Sequence, residues 1–142
     1  MLKKISIETI QQTAHSLAVK TMNWNEPIPD FSTRYPNVLE SCVKVPHQRY
    51  AGRDLYAGLV RKAAILFYLM IKNHPFQNGN KRIAITTLFI FLYINNKWIY
   101  VDSAELYNFA VWVAQSPPKF KEQVVQAINK FIKDYIKDLE EK

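Results

Sequence analysis

The stretch His74-Pro75-Phe76-Gln77-Asn78-Gly79-Asn80-Lys81-Arg82 decides how this chain is read. It sets an imidazole, amides, a glycine and two cations between two strongly apolar segments, Leu59 to Ile71 and Ile83 to Ile94. Both flanks carry apolar residues at helical spacing, so the stretch is a loop leading out of one buried helix and into another. Pro75 opposes continuation of the first helix, and Phe76 is an apolar anchor that pins the loop to the core. Gln77 to Arg82 are left as a polar arc. A loop that opens a helix offers unpaired backbone N–H groups and a positive dipole end, which together make an anion site. Lys81 and Arg82 fall in the first turn, where cations oppose the dipole. Their presence there points to a bound anion; the alternative is that both turn to solvent. Gly79 permits a left-handed turn or close approach by a phosphate, and Asn80 reads as the helix N-cap or as an amide facing a ligand. His74 reads either as a helix-end histidine or as a proton acceptor beside the anion site.

Outward from this loop, the chain divides into helical blocks. Block one covers Ser6 to Met22, with Ile10, Ala14, Leu17 and Ala18 on one face. Proline punctuation makes Asn23 to Pro46 a loop with a short helix at Val38 to Val43. Val43 to Arg53 is expected to form a short β-hairpin or flap, with Val43, Val45 and Tyr50 in strands and Gly52 in the turn. Block two, Asp54 to Asn73, opens at Asp54 as N-cap and puts Leu55, Leu59, Ala63, Leu66 and Met70 on one face. Block three is Asn80 to Asn95, ended by Asn95-Asn96-Lys97 in left-handed geometry. Block four, Ser103 to Gln115, starts at an Asp102/Ser103 cap and stops at Pro117-Pro118. Block five runs from Lys119 to the end, with Phe120, Val124, Ile128, Phe131, Ile132, Tyr135 and Ile136 as its core stripe. The expected fold is all-α: a compact helical bundle with a small β-hairpin flap, one domain over residues 1–142.

With 142 residues, 49% of them hydrophobic and 22% charged, the chain reads as globular. The longest mostly apolar stretch, Ile83 to Ile94, is too short for a membrane span of about 20 residues. Neither a signal peptide nor a zinc-spaced Cys/His cluster is expected, which points to the cytoplasm. Cys42 is the one cysteine and reads as a structural thiol rather than a nucleophile. The net charge of +7 favours anionic partners. Lysines in block five alternate with Glu122, Asp134 and Asp138, the pattern of a solvated face, so nucleic acid is an unfavoured partner.

The loop resembles the signature of the Fic/Doc family, His-Pro-Phe-x-(Asp/Glu)-Gly-Asn-(Gly/Lys)-Arg. It matches at His74, Pro75, Phe76, Gly79, Asn80, Lys81 and Arg82. The resemblance implies transfer of part of a nucleotide, usually ATP, to a protein hydroxyl. His74 would be the general base, Gly79 and Asn80 would form the anion hole, and Arg82 would clamp a phosphate, beside Lys81. The flap would hold a target peptide by strand addition.

Two departures refine this expectation. Asn78 stands where the family carries the carboxylate that holds magnesium. An amide offers an oxygen but no charge, so Mg2+ is either held mostly by phosphates or the copy is slow or inactive. Lys81 stands where AMP-transferring members usually have glycine, and the second arginine of their pattern falls at Ile85. Both differences favour the death-on-curing (Doc) branch, which transfers the terminal phosphate. No glutamate follows a Ser or Thr by four positions, so the inhibitory helix of some Fic proteins is absent and restraint would come from an antitoxin partner. The leading expectation is therefore a toxin of a toxin–antitoxin pair that phosphorylates a target such as a translation elongation factor. The alternatives are protein adenylylation and a catalytically silent binding module.

Overall fold

The computed structural model describes residues 2–22 and 26–139; the rest of the Asn23-to-Pro46 loop call and of the C-terminal block, at 23–25 and 140–142, lies outside them. Helix α1 (residues 7–21) is α-helical at Ile7–Thr9, widens to a π-helical turn at Ile10–His15 and closes as α-helix at Ser16–Thr21. Ser6 caps it by accepting the Thr9 N–H at 3.0 Å. At the widened turn the Ala14 carbonyl accepts a hydrogen bond of 2.7 Å from Thr86 Oγ1, which ties α1 to a helix far along the chain.

Helix α2 (Pro36–Lys44) begins on a proline and is longer than the expected Val38 to Val43. It runs into a 3₁₀ turn at Val45–His47. Val43 and Val45 are therefore helical, which corrects their placement in the hairpin. The hairpin itself is shorter: β1 (Arg49–Tyr50) pairs antiparallel with β2 (Arg53–Asp54). Ala51 and Gly52 both have positive φ, 51° and 78°, as a two-residue turn matching strand twist requires.

Asp54 does not cap the next helix. Helix α3 (Leu59–Lys72) starts after Gly58, and Leu55 is exposed rather than on the core face. The Asp54 carboxylate instead meets Lys62 Nζ at 3.0 Å and Arg49 Nε at 3.3 Å. Lys62 is only 4% exposed, and a buried ammonium needs a counter-charge more than a helix end needs a cap.

Helix α4 (Asn80–Ile94) ends as expected, with Asn96 left-handed at φ 63°. Helix α5 (Ser103–Gln115) is capped by Asp102, which accepts the Glu105 N–H. Its far end is closed by Lys72 Nζ, which donates to the carbonyls of Ala114 and Ser116. Helix α6 (Lys121–Tyr135) stops short of the expected C-terminal run. Ile136–Asp138 leaves it as β4 and pairs antiparallel with β3 (Lys97–Ile99), with Ile99 opposite Ile136 and Lys97 ion-paired to Asp138. Helical periodicity continues through Ile136, but the edge presented by β3 supplies the backbone partners that end the helix.

The core lies around α3 and α4, which are apolar on nearly every side. Phe67, Leu66 and Met70 of α3 and Phe91, Ile83 and Leu88 of α4 are almost fully buried. Helices α2, α5 and α6 pack around α3, and α1 lies along α4. Among the described residues no helix is long and apolar enough to cross a membrane.

Acid destabilises this arrangement through two groups. Burial depresses the pKa of His47, with help from the charges of Lys4 and Lys62. The hydrogen bond from Lys62 depresses that of Asp54. Both groups bind protons more readily in the unfolded chain, so folding stability rises with pH across their titrations. The His47 contribution is complete above the ordinary value of 6.5 and is lost below it. The Asp54 contribution is complete above 3.8 and is lost as pH falls further. Urea midpoints measured against pH should decline in these two steps, and His47→Gln should flatten only the upper one.

Candidate functional site

A cavity of about 530 Å³ opens between the ends of α3 and α4, lined by His74, Asn78, Gly79, Asn80, Lys81 and Arg82. All six residues singled out in the sequence therefore meet at one place. Glu26, on the segment after α1, enters the same cavity.

His74 is the second residue past the end of α3, after the C-cap Asn73, and is exposed and left-handed at φ 50°. Histidine tolerates that geometry better than most side chains, and Pro75 behind it prevents further helix. Phe76 then dives into the core at 2% exposure. Its ring lies 5.8 Å from that of His15 and 5.9 Å from that of Phe31. His15 Nε2 donates to the Pro29 carbonyl at 2.9 Å, so one aromatic cluster joins α1, the 26–31 segment and the loop.

Gly79 precedes α4 at φ +76°, and a Cβ there would sit 3.1 Å from Ile28 Cγ1. Only glycine meets both demands. The N-cap position is thus Gly79, not Asn80. Asn80 is the first helical residue, and its buried amide closes the loop instead. Its Oδ1 accepts the Phe76 N–H and its Nδ2 donates to the Phe76 carbonyl, both at 2.9 Å. This double bond leaves no ambiguity about which way the amide faces. The second Nδ2 hydrogen faces His74 Nδ1 at 3.4 Å, long enough to orient the ring without locking its tautomer.

Asn78 Oδ1 accepts the Gly79 N–H at 2.8 Å, and its Nδ2 donates to the Glu26 carboxylate. One N–H of the expected anion hole is therefore taken by the loop itself. Those of Asn80, Lys81 and Arg82 have no partner among the described residues and point out of the N-terminus of α4. Arg82 is 5% exposed. Its Nη1 donates to the carbonyls of Met22 and Glu26, at 2.9 and 2.7 Å. Its Nη2 lies beside Gly79 at the cavity wall. Lys81 is half-buried and forms no ion pair among the described residues.

Three participants carry no local signal in the sequence: Glu26, His15 and the loop-closing function of Asn80. Their partners lie on other elements or require the bent loop to exist first. Cys42 is fully buried, and burial pushes its thiol up to about 12, which makes it a packing group rather than a nucleophile. No residue of the 49–54 hairpin lines the cavity. Among the described residues no cluster of three or more His, Cys, Asp or Glu side chains is arranged to hold a metal.

Residues 2–92 match the family described as Fic/DOC. Toxin Doc of Mycolicibacterium smegmatis (strain ATCC 700084 / mc(2)155) is 33% identical over 73 residues. That alignment covers 51% of this chain and 56% of the toxin, so the chain spans little more than half the length of this curated relative. No solved structure matches the chain.

Proposed function

We propose that this chain, which belongs to the Fic/DOC family, is a Doc-like toxin that transfers the terminal phosphate of ATP to a hydroxyl of a target protein in the cytoplasm. The observation that carries this is the convergence of an exposed imidazole, His74, with the unpaired N–H groups and cations at the start of α4. Similarity to Toxin Doc supports the toxin assignment. The toxin name of that relative supports a small antitoxin as the restraining partner; the target in this reading is a component such as a translation elongation factor.

In this reaction His74 takes the proton as the target hydroxyl oxygen attacks the γ-phosphorus. The bond between that phosphorus and the β–γ bridging oxygen breaks, and ADP leaves with the electron pair. Lys81, Nη2 of Arg82 and the N-terminus of α4 stabilise the charge gathered on the phosphoryl oxygens. Asn80 keeps the His74 ring turned to the cavity. The donor set fits a magnesium ion, since the Glu26 carboxylate lines the cavity, with Asn78 Nδ2 donating to it, and Mg2+ would take its other ligands from phosphates and water. When bound, the ion would offset phosphate charge.

Ile85 supports phosphate over AMP transfer. It is 3% exposed and faces a neighbouring apolar cavity with Phe89 and Leu106, so that side of the site offers no cation to a β,γ-phosphate tail. The test uses ATP labelled at the α- or γ-phosphorus, the full chain and a cell extract. Protein-bound label from the γ position only is the expected result. Label from the α position would establish adenylylation, and none from either would leave a binding module.

A further inference from the structure

Glu26 lines the phosphate cavity without a part in the proton transfer. It precedes Asn78 by 52 residues, yet its carboxylate accepts a hydrogen bond from the Asn78 amide. Both sides of that contact are set by other bonds. Arg82 Nη1 binds the carbonyls of Met22 and Glu26, which staples this segment to α4 and turns the Glu26 side chain inward. The Gly79 N–H holds Asn78 Oδ1, so the amide nitrogen is the atom left to face Glu26. Among the described residues the Glu26 carboxylate has no cationic partner, although Lys81 and Arg82 line the same cavity. An accessible carboxylate with no cationic partner among the described residues therefore stands against the one position where the loop lacks the family's acid.

The two features fit each other. An aspartate at 78 would put a second carboxylate within hydrogen-bond reach of Glu26, and two like charges there would repel. An amide at 78 removes the repulsion and donates to the carboxylate instead. The negative charge is kept but has moved from the loop to the segment after α1.

We propose that Glu26 supplies the carboxylate for the nucleotide's magnesium ion and that Asn78 positions it. This rests on the ATP-transfer function above. Magnesium accompanying a nucleotide is commonly held by one or two carboxylates with phosphates and water completing the shell, so a single relocated carboxylate suffices. Asn78 then accounts for a change of ligand donor rather than for a loss of metal use.

The experiment measures affinity of the full chain for a non-hydrolysable ATP analogue, with Mg2+ and with a chelator. It compares the unaltered protein, Glu26→Gln and the double variant Glu26→Gln/Asn78→Asp. The unaltered protein should bind the analogue more tightly with Mg2+ by about tenfold or more, the scale of lost metal-site contacts. Glu26→Gln should lose most of that difference, and the double variant, with the charge returned to the loop, should regain it. Glu26 is exposed and the exchange nearly isosteric, and recovery in the double variant shows that the fold persists. The assignment is overturned if Glu26→Gln keeps the Mg2+ dependence, or binds more tightly with and without the ion. It is equally overturned if the unaltered protein binds the analogue without regard to Mg2+. Failure of every form to bind nucleotide would instead bring down the ATP-transfer function, and this assignment with it.

Discussion

His74→Ala will lower transfer of label to the target by roughly 100- to 10,000-fold, the usual worth of a general base. The imidazole is the proton-accepting side chain at the cavity rim that has no competing structural task. It is exposed, and among the described residues its hydrogen-bond partner is Asn80 Nδ2, at long range. Its removal therefore leaves the loop's internal bonds, those between Asn80 and Phe76, in place. The backbone complicates the choice of variant. Residue 74 is left-handed at φ 50°, and alanine there costs about 1 kcal/mol that asparagine largely avoids. His74→Asn is thus the cleaner partner: it keeps the backbone geometry and removes the base. Both variants should retain the thermal midpoint to within a few degrees while losing transfer. Label transfer by His74→Asn at the unaltered rate would eliminate His74 as the base.

Phe76→Ala will reduce folding stability by about 3–5 kcal/mol, the range for truncating a fully buried aromatic. The ring is 2% exposed and joins the cluster with His15 and Phe31. That cluster fastens three pieces of chain, so the loss goes beyond one cavity. Total stability of a domain this size is only about 5–15 kcal/mol, so the variant loses a large fraction of it. Urea denaturation of the two proteins measures the difference. The bonds from Asn80 to Phe76 and from the Tyr35 N–H to the Pro75 carbonyl are too few to hold the loop alone. A loss under about 1 kcal/mol would show that they suffice, because surface changes lie in that range. Phe76→Leu should restore much of the stability by refilling most of the volume.

Most helices could be read directly, because helical hydrogen bonds and apolar faces repeat within four residues. Ser6, Asp102 and Asn96 act at helix ends as their types suggest. The failures share one cause. Asp54 looked like a cap but answers to Lys62, eight residues on and buried. Val43 and Val45 looked extended yet continue α2 into its 3₁₀ turn. Ile136 fits the stripe of α6 but is drawn out to pair with Ile99. In each case a partner elsewhere in the fold outweighed the local preference.

The same division runs through the candidate site. By itself the sequence determined the helix–loop–helix frame, through the periodicity of its two apolar flanks, and the place of His74 and the cations of the candidate anion site, which lie within nine consecutive residues. Tertiary structure decided what those groups are held against. It set Arg82 on the carbonyls of Met22 and Glu26, turned Asn80 onto the loop and brought Glu26 to Asn78. The physical reason is range: a motif records neighbours along the chain, whereas a carboxylate 52 residues away is placed only by packing α1 against α4.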